Sequence, residues 1–171
     1  MHMKLLKQLG LAVTGLVMSV TPSLATTTAT TADLLSHLDE NGISIVFNSP
    51  RCNSGIAGAY QWTGMARRMV VCLGDDGVDA DDHNTVRHET IHAIQHCKNA
   101  VYGRPATTPL MEPHHVYQVA RDVLTFSQIN AIKSTYPQEQ WLVELEAFAG
   151  AEVLSNDDLI NAFNNWCLMD A

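Results

Sequence analysis

Two imidazoles and a carboxylate fall within five residues of the sequence, in the run HETIH at 88–92. On a helix, residues i and i+4 lie on one face about a turn apart, so nitrogens of His88 and His92 can converge on one Zn²⁺. Glu89 is rotated from His88 by about 100°, so it can miss the metal and face the water bound to it. Composition alone would produce this HExxH pattern about 0.015 times in such a chain. The run therefore predicts a hydrolytic zinc site with Glu89 as general base.

A hydrolytic zinc site needs a third protein ligand and an open position for water. His96 continues the i+4 row, but it lies eight residues, or about 12 Å, beyond His88, too far for metal bonds of about 2 Å. We expect His96 at the surface or supporting the site from outside. Gln95 and Lys98 stand where a metzincin helix would have Gly and His, which excludes that branch. A carboxylate from a later helix is the expected third ligand.

The best source of that carboxylate is an almost wholly apolar segment at 141–152, WLVELEAFAGAE. Because such a helix should be buried, a Glu within it needs a partner. Glu144 shares its face with Ala147 and Ala151, small residues that let another helix approach closely. Glu144 is therefore preferred over Glu146 as the third ligand. The alternative for either is a buried ion pair with one of three arginines, Arg67, Arg68 or Arg121.

HExxH on one helix, followed by a Glu that opens an E-x-x-A motif on another, resembles the gluzincin-type zincin metallopeptidases. More locally, MVVCL at 69–73 and HETIHAIQHC at 88–97 are similar to the small mitochondrial intermembrane-space metalloproteases that process an ATP-synthase subunit. The resemblance covers about 69–98 and 141–154, with one departure at Phe148, where Asp often follows the second-helix Ala. The wider cysteine pattern of that family is also not matched.

The resemblance implies a zinc metallopeptidase with His88, His92 and Glu144 as ligands and Glu89 as catalytic base. Zinc would lower the pKa of its water from near 15.7 to about 7, and Glu89 would take the proton as the water attacks a peptide carbonyl. Four side chains are candidates for a transition-state hydrogen-bond donor: His114, His115, Tyr117 and Tyr136. The alternative function is an exported, non-catalytic zinc-binding or interaction protein, although such a protein need not keep Glu89.

The first 25 residues have the order of a secretory signal peptide. Lys4 and Lys7 precede an apolar stretch at 9–20, and the small-residue run TPSLA ends at Ala25. The stretch of about 12 residues is shorter than the roughly 20 needed to span a membrane. Cleavage after Ala25 would leave 171 − 25 = 146 residues, either secreted or in a periplasm, with no membrane segment.

The four cysteines all follow the expected cleavage point, and an even number suits disulfides in an oxidising compartment. Of the three possible pairings, Cys52–Cys72 with Cys97–Cys167 is favoured, because it joins two strand-like segments and two helix ends. The formal net charge of −8, with no cluster of Lys or Arg, argues against nucleic acid or anionic lipid as partner. A peptide or protein substrate is the expected partner, and the oligomeric state stays open.

The pattern of elements predicts an α+β fold, in which a small antiparallel sheet packs on a central HExxH helix with further C-terminal helices. Residues 26–32 are expected to be a flexible Thr/Ala-rich N-terminus, and 33–171 a single zincin-like domain. The expected strands are 43–47, 59–62 and 69–73, and the expected helices are 33–40, the HExxH helix, and roughly 116–124, 127–135, 138–154 and 156–168. The acidic loop at 74–82 is expected to lead into the HExxH helix with Asp81 or Asp82 as N-cap, the alternative being a Ca²⁺ site.

Overall fold

A computed structural model of the chain describes residues 28–64, 66–74, 80–100 and 107–168. The expected signal peptide at 1–25 and most of the acidic loop lie outside these residues. The helices are α1 (Thr31–Glu40), α2 (Ala80–Ala100), α3 (Pro113–Val123), α4 (Phe126–Thr135), α5 (Trp141–Val153) and α6 (Asn156–Cys167). The strands are β1 (Ile43–Phe47), β2 (Gly58–Thr63) and β3 (Ala66–Val71), with 3₁₀ turns at Pro50–Ser54 and Gln138–Gln140. The α+β class is confirmed.

Capping side chains decide where several helices begin. Thr30 caps α1 in a reciprocal capping box with Asp33, so the helix begins at Thr31, two residues earlier than predicted. The Ala29 N–H also donates to Asp157 on α6, so this end of the tract predicted to be flexible makes defined contacts. Equivalent capping boxes begin α4 and α6.

Two further boundaries differ from expectation. Helix α2 begins at Ala80, so Asp81 and Asp82 lie inside its first turn and neither is the N-cap. Helix α3 begins at Pro113, because proline at the first helical position has a suitable φ and lacks an N–H that would go unpaired. His114 and His115 are therefore helical, where a helix beginning near residue 116 had been expected.

The sheet has the order β1-β3-β2, and the expectation that it is wholly antiparallel is wrong. Strands β2 and β3 form an antiparallel hairpin, but β1 pairs with β3 in parallel. The reason is the connection at 48–57, which carries the chain past the place of β3 and puts β2 at the far edge. The returning strand β3 then fills the centre and runs in the direction of β1.

Two apolar clusters form the core, and α5 contributes to both. The first joins the sheet with α1, α2 and α6, and the second joins α3, α4 and α5. Ala147 of α5 packs in the first cluster, and Leu145 and Ala149 pack in the second. A Cβ added at Gly150 would lie 2.7 Å from Cδ1 of Ile91, so the lack of a side chain at Gly150 is what lets Ile91 pack directly on α5 in its present conformation.

Both expected disulfides are present, Cys52–Cys72 and Cys97–Cys167. The first ties the 3₁₀ turn after β1 to the end of β3, and the second ties α2 to α6. Two disulfides fit an oxidising or extracellular location. Within the described ranges, no helix combines the length and apolar character needed to cross a membrane.

Candidate metal centre

His88, His92 and Glu144 meet where α2 packs on α5. The two Nε2 atoms of His88 and His92 are 2.9 Å apart, and each lies 3.5 Å from Oε2 of Glu144. His88 and His92 lie on α2, the predicted HExxH helix, and Glu144 lies on α5, the predicted apolar helix. This group could hold a metal ion.

The three facing atoms have the separations that a small metal ion requires. A point equidistant from them lies roughly 1.9 Å from each, as follows from the three distances, and zinc bonds to His and carboxylate ligands are about 2.0–2.2 Å. Oε2 of Glu144 is buried and has no well-aligned hydrogen-bond donor among the described residues. An unsatisfied buried carboxylate oxygen facing two ring nitrogens fits a metal site.

The electrostatics of Glu144 agree with this arrangement. Burial opposes its ionisation, but the rings of His88 and His92 that face the carboxylate outweigh burial and lower the pKa of the carboxyl to about 2. The carboxylate is therefore ionised at neutral pH, the form in which it can bind a metal.

Gln95 holds the ring of His92 in place. The ring Nδ1 lies 2.8 Å from Oε1 of Gln95, an oxygen that can only accept, so Nδ1 bears the proton and Nε2 is left free toward the metal position. The amide of Gln95 in turn donates to Glu146 at 2.8 Å and to the Val143 carbonyl at 3.1 Å. Sequence reasoning used Gln95 only to exclude the metzincins. The signal that could have identified it is its i+3 position after a ligand histidine.

Glu146 is a structural residue that bridges α2 to the segment before α3. Besides the Gln95 amide, its carboxylate accepts the backbone N–H groups of Leu110 and Met111 at 2.7 and 2.8 Å. It is not part of the group that faces the metal position. The three arginines considered as alternatives bind elsewhere, Arg67 on the Asn41 carbonyl, Arg68 on Gln61 and Arg121 on the Tyr117 carbonyl.

Glu89 lies beside the group and bonds to the edge strand of the sheet. Its Oε2 accepts the Tyr60 N–H at 2.6 Å. Burial raises the pKa of Glu89, partly opposed by His88 and His92. A Cβ at Gly58 would lie 2.6 Å from Cγ2 of Thr85 and 3.1 Å from Glu89, so only glycine lets β2 lie this close to α2.

The metal position opens into a cleft made of two adjoining hollows of about 450 and 440 Å³. His88, Glu89, Gly58 and Tyr136 line both hollows. Of the four candidate transition-state donors, Tyr136 alone lines this cleft. Burial, with the carboxylates of Glu144 and Glu89 nearby, raises the pKa of Tyr136 to about 12, so its phenol keeps its proton at neutral pH.

Two further residues contact the elements that carry the site. His96 is buried, which excludes the surface position and agrees with the other expectation, that it supports the site from outside. Its Nδ1 lies 2.9 Å from the Tyr60 hydroxyl and its ring stacks on Trp62, which supports β2 against α2. Phe148, at the departure from the family pattern, packs its ring 4.3 Å from the ring of His88. The Nδ1 of His88 is buried with no hydrogen-bond partner among the described residues.

The geometry thus unites the four residues selected from the sequence around one position beside a cleft. A comparison of the chain with protein-family models, curated proteins and solved structures finds no match in any of the three. The functional interpretation therefore depends on the chemistry of this centre.

Proposed function

We propose that the chain is an exported zinc-dependent metallopeptidase. The observation that supports this most is the convergence of His88, His92 and Glu144 on one point, with Glu89 beside them and a cleft in front. Three protein ligands of nitrogen and oxygen type, with one position left open, are typical of catalytic zinc. The same three distances would also suit a non-catalytic zinc protein, which is the competing outcome of the test below.

The residues divide the work of peptide hydrolysis. When bound, zinc supplies a Lewis acid that lowers the pKa of a coordinated water and polarises a peptide carbonyl. The Tyr60 N–H holds Oε2 of Glu89, which leaves Oε1 to accept the proton of the attacking water and later to deliver it to the leaving amine. The protonated phenol of Tyr136, in the same cleft, is the proposed donor to the oxyanion that develops on the carbonyl.

The edge of β2 is the proposed binding site for an extended peptide. β2 lies at the edge of the sheet, and Tyr60 turns its N–H away from β3. By the alternation of an antiparallel ladder, Gly58 and Trp62 also present backbone groups at this free edge. Because the Tyr60 N–H is held by Glu89, a substrate strand can pair with the backbone groups of Gly58 and Trp62 on either side of it and place its carbonyl toward the metal position.

Arg51 is proposed to bias the substrate toward acidic side chains. No other Lys or Arg among the described residues lines the cleft. Three carboxylates line it as well, those of Glu89, Glu144 and Glu152. Its side chain makes no ion pair within the described ranges, so its guanidinium is available to a ligand. Its position depends on the 3₁₀ turn that Cys52 ties to β3.

Metal analysis and a cleavage assay on the same protein test the proposal. The full chain after signal removal is purified without added metal, its zinc is counted by mass spectrometry, and a quenched peptide library is incubated with it. We expect about one zinc per chain, cleavage that stops after removal of the metal with phenanthroline, and recovery on addition of zinc. Protein without zinc would contradict the proposal, and stoichiometric zinc without any cleavage would favour the non-catalytic alternative.

A further inference from the structure

A second cavity, of about 520 Å³, lies between α3 and α4 and against α5. Its contact with α5 is Leu145, about 100° around the helix from Glu144. This cavity shares no lining residue with either hollow of the metal cleft. Its chemistry is therefore separate from the proposed peptidase site.

The polar lining of this cavity is basic. Arg121 and Lys133 line it together with His114, and no carboxylate of the described residues does. Neither Arg121 nor Lys133 makes an ion pair with any residue in the described ranges. In a chain with a formal net charge of −8, two permanent cations facing one hollow without a counter-charge favour an anion there.

Lys133 and Arg121 are positioned by contacts that leave their charges unneutralised. Lys133 is half-buried, and its ammonium lies 5.4 Å from the ring centre of Trp141 and 5.7 Å from that of Tyr117. Aromatic faces stabilise a cation but do not cancel its charge. Arg121 donates from Nε to the Tyr117 carbonyl at 3.1 Å, which orients the guanidinium and leaves its two terminal nitrogens for a ligand.

The rest of the lining is apolar and reaches the surface. Ala120, Ile129 and Leu145 form the inner part, and the ring of Phe126 at the opening is 79% exposed. Such an exposed aromatic ring beside an apolar hollow is a surface that ligand contact would cover. A ligand that satisfies both parts has one anionic group and an apolar body.

We propose that this cavity binds a small amphiphilic organic anion. The anionic group lies between Arg121 and Lys133, and the apolar body fills the hollow and contacts Phe126. A hollow of this volume is within the range of small-molecule sites in proteins. The site requires no metal, so it stands whether or not the chain is a peptidase.

A pair of dyes that differ in charge tests this directly on the purified full chain after signal removal. Anilinonaphthalene sulfonate has an apolar ring system and one anionic group, and N-phenylnaphthylamine has the same rings without the sulfonate. We expect saturable binding of the sulfonate to the native protein. Replacing Arg121→Gln and Lys133→Gln together should weaken it by about tenfold or more, as expected from loss of charge-assisted hydrogen bonds. The neutral dye should change less than about twofold.

Controls separate this site from unfolding and from surface charge. Arg68→Gln removes a cation of β3 that lies outside the cavity and should leave both affinities unchanged. Phe126→Ala, at a mostly exposed position, should weaken both dyes. Near-ultraviolet circular dichroism confirms that each variant is folded, and Arg121→Gln alone serves if the double variant is not. The proposal would be overturned if the wild-type protein showed no saturable binding of the sulfonate dye. It would also be overturned if the charge variants bound that dye as tightly as the wild type, or if they lost affinity for the neutral dye to the same extent.

Discussion

The backbone N–H of Tyr60 donates a 2.6 Å hydrogen bond to the carboxylate of Glu89. This bond connects the free edge of the sheet to the residue proposed as general base, so strand and base keep a constant separation. A peptide that pairs along the edge of β2 would therefore reach the base at a set register. The precision of the site thus depends on the approach of β2 to α2.

Replacing Glu89→Gln should separate metal binding from catalysis. Gln keeps the size of the side chain but cannot accept the proton, so we expect unchanged zinc content and a kcat lower by roughly 10²–10⁴. His92→Ala should lose both zinc and activity, because it removes a ligand. Zinc content and kcat are measured on the same samples. Full activity in the Gln variant would show that Glu89 is not the base, and Glu152→Gln, at an exposed carboxylate of the cleft, is the matched control.

The two buried glutamates of α5 should respond differently to the same change. Glu144→Gln should weaken zinc binding, because a neutral amide is a poor ligand for zinc. Glu146→Gln should keep the zinc and lower the free energy of unfolding by about 1–3 kcal/mol, since Leu110, Met111 and Gln95 lose a charged acceptor. Zinc titration and urea unfolding distinguish the two. If Glu146→Gln lost more zinc than Glu144→Gln, then Glu146 would be the metal ligand and Glu144 the structural residue.

Gly58→Ala should damage the site through one methyl group. The new Cβ would lie 2.6 Å from Cγ2 of Thr85, so β2 must move from α2 and the Tyr60 bond to Glu89 must lengthen. We expect a loss of about 1–3 kcal/mol in stability together with reduced kcat. Gly74→Ala is the matched control, because nothing lies within 4 Å of its added Cβ.

A second substitution tests the cause of that effect. Thr85→Ser removes Cγ2, the atom that the new methyl would meet first, and should restore part of the lost activity in the Gly58→Ala background. Equal activity of the single and double variants would show that the contact with Thr85 is not responsible.

Charge reversal at Arg51 should change substrate preference and leave the zinc in place. With Arg51→Glu, we expect peptides with Asp or Glu near the scissile bond to lose about tenfold in kcat/KM relative to peptides with Lys. Arg68→Glu makes the same change of charge on β3 outside the cleft and should preserve the preference. If the wild-type protein cleaves peptides without preferring acidic ones, the proposed role of Arg51 is wrong, but the proposed peptidase activity stands.

The two disulfides should differ in their contribution to stability. In the chain-entropy estimate, removing Cys97–Cys167, which closes a separation of 70 residues, costs about 4 kcal/mol, and removing Cys52–Cys72, with a separation of 20, costs about 3 kcal/mol. Paired Cys→Ala variants compared by urea unfolding measure both. The shorter loop supports Arg51, so its loss should also reduce the acidic preference.

Local periodicity was enough to predict which side chains the structure brings together at the candidate site, but it could not predict the long-range topology of the sheet. His88, Glu89 and His92 follow from one helical turn, and the small residues beside Glu144 indicated which face meets α2. The parallel pairing of β1 with β3 depends on how residues 48–57 cross the sheet, which no local pattern expresses.

The partners of Glu146 were equally inaccessible to sequence reasoning. Gln95 and the backbone of Leu110 and Met111 come to it from parts of the chain 35 or more residues away. His96 shows the same limit, because only the fold reveals that Tyr60 and Trp62 bury its ring. Spacing can place a side chain on a helix face, but it does not say which distant segment will cover that face.

The separation of the cysteines has a consequence for the order of events during synthesis. The partner of Cys52 follows 20 residues later, so that bond can close before the residues after Cys72 have reached an oxidising compartment. Cys97 must wait for Cys167, and Glu144 lies between them. His88 and His92 therefore precede by more than 50 positions the carboxylate of Glu144, the third member of the candidate metal group. An emerging chain would therefore have its proposed binding strand and turn early, and its candidate metal centre only after most of its length has emerged.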